Sequence, residues 1–502
     1  MAKKASTPSF VLDLKLNTDQ NNVDFLVKRF HYSQKLHNAL VRYVKKQIAK
    51  LQQDHAYKML MKEWHATKKS KTPAVKKRHA EINLQLAELR RYYGLHDKYQ
   101  LEVIAANLRH SYSKYIHSQQ AQLIAADVWR AVEKYLYGNG KHIHFKKYHE
   151  MDSLHGTKNN TGIWFNGRYL IFGTEKTGYK IPVMIDENDF YVIQALQHRI
   201  KFVRVKRMAY PNGYHYYLQL VLEGIPPKKP ALGYGRVGID IGTSTVAAVS
   251  HNKCILDELN HGTKDYTKEI TRIQRAMDRS KRATNPNKYH EDGTIKKGNR
   301  DKWVFSKGYK QLQMRKRMLE RKQALSLKQS HETLANRILM MGDDIYVEDM
   351  DFKALQRRAK QTTKNKKGKF NRKGRFGKSI KQHAPAMLIS IVERKLQYYG
   401  KEIHKVDTKS FRASQYNHIT DDYVKKKLHN RYVNLNGRRI QRDLYSAFLL
   451  MNSVPCLTHT DRELCICNYE RFLKKHDRCI GKLIQSGDKY PSCMGLKYFA
   501  AH

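Results

Sequence analysis

Hydrophobic and polar positions alternate near the start of the chain. In "SFVLDLKL", at 9–16, Phe10, Leu12, Leu14 and Leu16 fall on one side, and a period of two predicts a strand. The period then lengthens. Over 23–53, ending in "HNALVRYVKKQIAKLQQ", apolar residues recur at helical spacing with lysines between them. A second helical pair is predicted over 57–93, broken at "KKSKTPAVKK", where Pro73 suits the start of a helix. A long helical pattern follows over 100–137 and stops at Gly138 and Gly140. Alternation returns in "TGIWFNGRYLIFG". It is stronger in "HRIKFVRVKRMAYPNGYHYYLQLVLEG", a hairpin pattern around Pro211-Asn212-Gly213. The first half therefore reads as a β-rich unit, 1–22 and 141–228, interrupted by a helical domain at 23–140. With the strand at 9–16, the β segments are expected to close one small barrel.

"GIPPKKPALGYG" marks a linker by its prolines and glycines. Beyond it the pattern predicts strands at 236–241, 245–250 and 253–259, then helices at 264–280 and 308–341. A strand at 343–350 ("DDIYVEDM"), a helix at 385–399, a strand at 402–407 ("EIHKVD") and a helix at 439–452 follow. Three strands, a helix, a strand, a helix, a strand and a helix make the order of a ribonuclease H-like fold. The expected class is thus α/β and α+β multidomain, with a nuclease-type domain over 229–407 and 439–455. Two insertions interrupt it: a lysine-rich, glycine-punctuated lid at 353–382, and 408–438. The tail at 456–502 has no assigned role.

Charge narrows the partner. The 502 residues carry 96 Lys+Arg against 45 Asp+Glu, a net +51. Self-repulsion of that size calls for a polyanion, and nucleic acid is the expected one. No run of 18 apolar residues exists, so no membrane span or membrane partner is expected. "MAKKASTPSF" lacks the apolar core of a secretory signal. A cytoplasmic setting with reduced cysteines is expected. Cys465, Cys467 and Cys479 could be zinc ligands, although their spacing matches no common pattern.

The string "GRVGIDIGTSTVAAVS", 235–250, allows two chemistries. Sugar kinases and actin-like ATPases use a similar strand, glycine turn and strand to hold phosphates. Ribonuclease H-type nucleases use the layout to place a metal-binding aspartate. The kinase reading needs a second phosphate motif and a glycine-rich adenosine motif, and neither follows residue 260. The nuclease reading needs carboxylates at the ends of core elements. Phosphodiester hydrolysis uses two divalent ions roughly 4 Å apart to activate water and stabilise the leaving oxygen, and magnesium takes oxygen ligands. Asp240 ends the first strand of the domain, Glu348 ends the fourth, and Asp443 sits on the first turn of the last helix, beside Arg442. The order of elements places these three at the centre of the sheet, as catalytic residues and as ligands of Mg2+ or Mn2+.

"VGIDIGTSTVAAVS", "IYVEDMDF", "ERKLQYYGKEIHKVDTKSFRASQ" and "QRDLYSAFLLMN", in this order, resemble the TnpB proteins of insertion sequences, relatives of type V CRISPR effectors. The resemblance implies an RNA-guided DNA endonuclease with one RuvC site, a guide RNA and target double-stranded DNA as partners. The interrupted barrel would be a wedge domain and the helical insertion a recognition domain. Asp240, Glu348 and Asp443 match the three catalytic acids, and Ser414-Gln415 the polar pair before the family's zinc ribbon. Here the chain departs: residues 416–439 contain no cysteine where the family has two C-x-x-C pairs. His418 and His429 do not complete a closed site, so the zinc is expected to be lost. Tyr416, Leu428, Tyr432 and Leu435 are expected to hold the segment's shape. Tyr309, Tyr398, Tyr399 and Tyr432 lie among lysines and could stack on bases. A compact type V effector, a guided binder that does not cut, and a guide-independent nuclease or strand-transferring transposase are the alternatives.

Overall fold

The computed structural model describes residues 7–499, apart from 69, 71, 139, 228–230, 297, 300, 358–361, 364, 366–367, 369–375 and 427–428. The chain divides into two compact units, Met1–Pro227 and Lys228–His502.

In the first unit, β1 (Ser9–Leu16) buries Phe10, Leu12, Leu14 and Leu16 and exposes the residues between them. Asp19 then caps α1 (Gln20–Gln53), its side chain accepting from the Asn22 N–H at 2.7 Å. Four helices follow: α2 (His55–Thr67), α3 (Pro73–Tyr92), α4 (Lys98–Arg109) and α5 (Ser118–Leu136). The pattern expected to run through 100–137 is thus two helices. Between them "HSYSKY" is rich in serine and tyrosine, poorer helix formers than the alanine-rich flanks, and Ile116 turns inward. The strands β2 (Ser153–His155), β3 (Ile163–Phe165), β4 (Tyr169–Phe172) and β5 (Tyr179–Met184) precede the short α6 (Phe190–Leu196). The long hairpin of β6 (Ile200–Tyr210) and β7 (Gly213–Glu223) completes the unit. All seven strands form one sheet of order β2-β6-β7-β1-β5-β4-β3. The sheet curls so that β3 approaches β6, but no ladder closes it among the described residues. The two end strands, β2 and β3, have three residues each and pair only with β6 and β4. The expected barrel is a half-barrel.

The second unit is built on β8 (Arg236–Ile241), β9 (Thr245–Ser250) and β10 (Cys254–Glu258), an antiparallel meander. The helices α7 (Thr267–Thr284) and α8 (Lys307–Leu339) lead to β11 (Asp344–Glu348). Then come the short α9 (Phe352–Leu355) and α10 (Gly377–His383), α11 (Pro385–Gln397) and β12 (Ile403–Val406). The sheet order is β10-β9-β8-β11-β12, with β11 parallel to both β8 and β12. After α12 (Thr408–Phe411), the segment at 408–438 makes two small hairpins. One pairs β13 (Tyr416–Asn417) with β14 (Asp422–Tyr423), the other β15 (Tyr432–Leu435) with β16 (Arg438–Gln441). The next helix, α13 (Arg442–Met451), starts three residues later than expected, because 438–441 is taken by β16.

Strand alternation sorts the sheet's two faces. Val237, Ile239, Ile241, Ile345 and Val347 pack with α8 and α11. Ala247, Val249 and Tyr346 pack with α13 and a further helix, α14 (Arg462–Gln485). The tail therefore holds a 24-residue helix. Its buried residues, Cys465, Phe472, Leu473, His476 and Ile480, keep helical spacing, but dense interleaved cations mask the pattern. Gly238 faces α13. A Cβ there would lie 1.9 Å from the Ala447 carbonyl oxygen and 2.4 Å from the Met451 nitrogen, so only glycine admits the helix this close.

Candidate active site

Two of the three acids owe their position to strand register. The pairs Tyr346–Gly238 and Val347–Ile239 run in parallel register, and one residue further on Glu348 stands beside Asp240. Both share the face of Tyr346 and Gly238, the face covered by α13. The third acid comes from that helix: Asp443 is in its first turn. Residues about a hundred positions apart in sequence thus face one another.

Their electrostatics show the proximity. Burial holds the Asp240 carboxyl well above the usual carboxylate range, and the charges of Asp443 and Glu348 push it the same way. Arg442 and the Ser446 hydroxyl pull it down by less. Burial also pushes Glu348 up to about 7. The Ser446 hydroxyl is close to Asp240 yet out of hydrogen-bonding geometry with its neighbours. Among the described residues, no group of three or more His, Cys, Asp or Glu side chains is tight enough to grip an ion as it stands. The charges of Asp443 and Glu348 act against ionisation of Asp240.

Asp443 is held from two sides. Arg442 donates from Nε and Nη2 to Oδ1, both at 3.3 Å, and from Nη1 to the Asn430 carbonyl at 3.1 Å. Gln441, fully buried, caps α13 by accepting the Leu444 N–H at 2.6 Å and donates from Nε2 to Asp443 Oδ2 at 3.3 Å. Its own N–H donates to His476 Nε2 on α14 at 3.0 Å. Gln441 and His476 are absent from the sequence-based reading. The signal for Gln441 was its place just before an acidic first turn; nothing local marks His476.

The turn after Asp240 is closed by the Gly242 N–H donating to the Thr245 carbonyl at 2.9 Å, and Gly242 is not left-handed. The far end of the lid segment docks on this turn. Ser379 on α10 donates to the Thr243 carbonyl at 3.1 Å, and His383 joins Ser379 to Glu258 at the end of β10. Much of 353–382 lies outside the described residues.

The cysteines expected as a zinc alternative are spread out. Cys465 is buried and Cys467 exposed; two positions apart on one helix, they point to opposite sides. Cys479 lies beside Cys254 instead. In the ribbon segment, Tyr416 is buried and donates to Asp421 at 2.8 Å, Leu435 is buried, and Tyr432 packs on Tyr498. Leu428 lies outside the described residues. His418 is buried among Tyr445, Phe448 and Tyr469, its Nδ1 2.7 Å from the Tyr445 hydroxyl, while His429 is exposed. Tyr309 stacks on Phe305, and Tyr398 is half-buried.

No family model matches the chain, and no curated protein does. Solved structures similar to it include the cryo-EM structure of a Cas12f1–sgRNA–target DNA complex. It is 12% identical, covers 90% of this chain and 99% of that one, and has a TM-score of 0.43. A cryo-EM structure of a CRISPR-Cas12f ternary complex is 11% identical, covers 87% of this chain and 82% of that one, and has a TM-score of 0.25. No helix among the described residues is long and apolar enough to cross a membrane.

Proposed function

We propose that this chain is an RNA-guided DNA endonuclease with a single ribonuclease H-like, RuvC-type centre formed by Asp240, Glu348 and Asp443. One observation carries the reading: three acids from distant segments face one another across β8, β11 and α13 in a protein of net charge +51. The proposed partners are a guide RNA and target DNA, the classes named for the Cas12f1 complex. The motif resemblance to TnpB proteins supports the insertion-sequence type, with the first unit as wedge and recognition domains.

The donor set fits Mg2+ or Mn2+. It is all oxygen, and its three acids outnumber the cation that acts on Asp240 among the described residues, Arg442. Such ions, held by Asp240, Glu348 and Asp443, would supply an activated water and a stabilised leaving oxygen. The chain's own work is placement. Sheet register fixes Asp240 against Glu348, Gly238 admits α13, and Gln441 and Arg442 aim Asp443. Base pairing with the guide would select the strand, and the basic surface would hold its phosphates.

The test uses the protein purified with its RNA. Asp240→Ala should abolish magnesium-dependent cutting of matched duplex DNA while leaving DNA binding intact. Cutting at the wild-type rate overturns the site assignment. Purification without any discrete RNA overturns the guided reading.

A further inference from the structure

The tail helix brings a second feature. A cleft of about 380 Å³ lies between the start of β10, α8 and α14. Five cations from three elements line it: Lys253, Arg337, Lys475, Arg478 and Lys482. Lys475, Arg478 and Lys482 share one face of α14 at spacings of three and four. Asp257, next to the lining residue Leu256, is engaged by Arg337 at 2.6 Å and by His261 at 3.1 Å. Among the described residues, Lys253, Lys475, Arg478 and Lys482 have no ion-pair partner.

The cleft is separate from the carboxylates. Cys254 pairs with Val249, and Ser250 with Val237, at one end of the meander; Asp240 pairs with Ala247 near the other. We infer that this cleft binds the phosphodiester backbone of a nucleic acid strand. Four unpaired cations converging on a concave surface repel one another until an anion joins them, and Arg and Lys both suit phosphate. The α14 cations extend over about 10 Å of helix at 1.5 Å per residue. That exceeds one phosphate and suits consecutive phosphates of a strand. The inference rests on the nucleic-acid part of the reading above, not on cleavage.

The test uses full-length protein carrying Asp240→Ala, so that no strand is cut, with and without Lys475→Gln, Arg478→Gln and Lys482→Gln together. Affinity is measured against salt for a single-stranded RNA and, separately, for a DNA duplex. Three lost contacts should flatten the slope of log affinity on log salt by about 2 for the RNA or roughly 3 for the duplex; the arm that responds names the strand. Mass spectrometry after amine acetylation adds a second readout. The bound strand should protect Lys253, Lys475 and Lys482 and leave the neighbouring Lys474 reactive. Unchanged slopes in both arms with no protection overturn the cleft, even if the wild-type protein cuts. A flattened slope, with a wild-type protein that never cuts matched DNA in parallel, upholds the cleft and removes the nuclease reading alone.

Discussion

Asp240 and Glu348 stand side by side on adjacent parallel strands, on the sheet face that α13 covers. Each loses hydration there, and both carboxyls are pushed upward. An acid whose folded pKa is raised stabilises the fold fully below its unfolded pKa. That contribution is lost as pH rises through the folded value, near 7 for Glu348. At pH 8 without metal the cluster therefore destabilises the protein. Asp240→Asn should raise the melting midpoint in a chelator at pH 8 by roughly 2–8 °C, the shift expected for 1–2 kcal/mol in a domain of this size. Magnesium should raise the wild-type midpoint and leave the variant nearly unmoved. A variant that melts lower in chelator, or responds equally to magnesium, refutes this account.

Gly238 fixes how near α13 comes to the sheet, since its missing Cβ leaves room for the Ala447 carbonyl and the Met451 nitrogen. Both obstacles are backbone atoms, so no rotamer change relieves them. Gly238→Ala should destabilise by about 3 kcal/mol, at the upper end of overpacking costs, read by denaturant unfolding. Adding Ala447→Gly should not rescue it, because the clash is with the carbonyl. Rescue would show that the contact is with the side chain.

Much of this was legible in the sequence for physical reasons. The strands of the second unit carry clear apolar runs, and each acid follows such a run or opens a helix, so Asp240, Glu348 and Asp443 stand out in the sequence. Nothing in "VGID" marks Gly238, because its reason is a helix about two hundred residues away. His476 was illegible because its partner, the Gln441 N–H, is set by tertiary packing. The helix at 462–485 was missed because cations and cysteines interleave its apolar residues. Closure of the first-unit sheet is not legible, because alternation gives strand existence and face but not whether the two end strands meet.

Gln441 separates stability from positioning. Its side chain caps α13 and also reaches Asp443. Gln441→Ala should cost about 1 kcal/mol through the lost cap and slow cutting by roughly ten- to a hundredfold through misplacement of Asp443, with target affinity unchanged. Gln441→Ser restores a good capping acceptor but cannot reach the carboxylate. Stability should return while the rate stays low. If serine restores both, Gln441 acts only as a cap.

His418 should give the second unit an acid limit. Burial, with Arg462 pushing the same way, lowers its pKa from 6.5 to about 4, and its Nδ1 is 2.7 Å from the Tyr445 hydroxyl. The folded protein keeps this ring neutral, while the unfolded chain protonates near 6.5. Its contribution is therefore whole above pH 6.5 and is lost as pH falls toward 4. At 1.36 kcal/mol per unit, the loss totals about 3 kcal/mol. Denaturant unfolding from pH 7 to 4 should show this slope, and His418→Gln should flatten it by close to one proton while lowering stability at pH 7. His476, also pushed down by burial, contributes in both proteins and cancels in the comparison. Equal slopes would mean that His418 is protonated in the fold, and the aromatic packing around it would need another explanation.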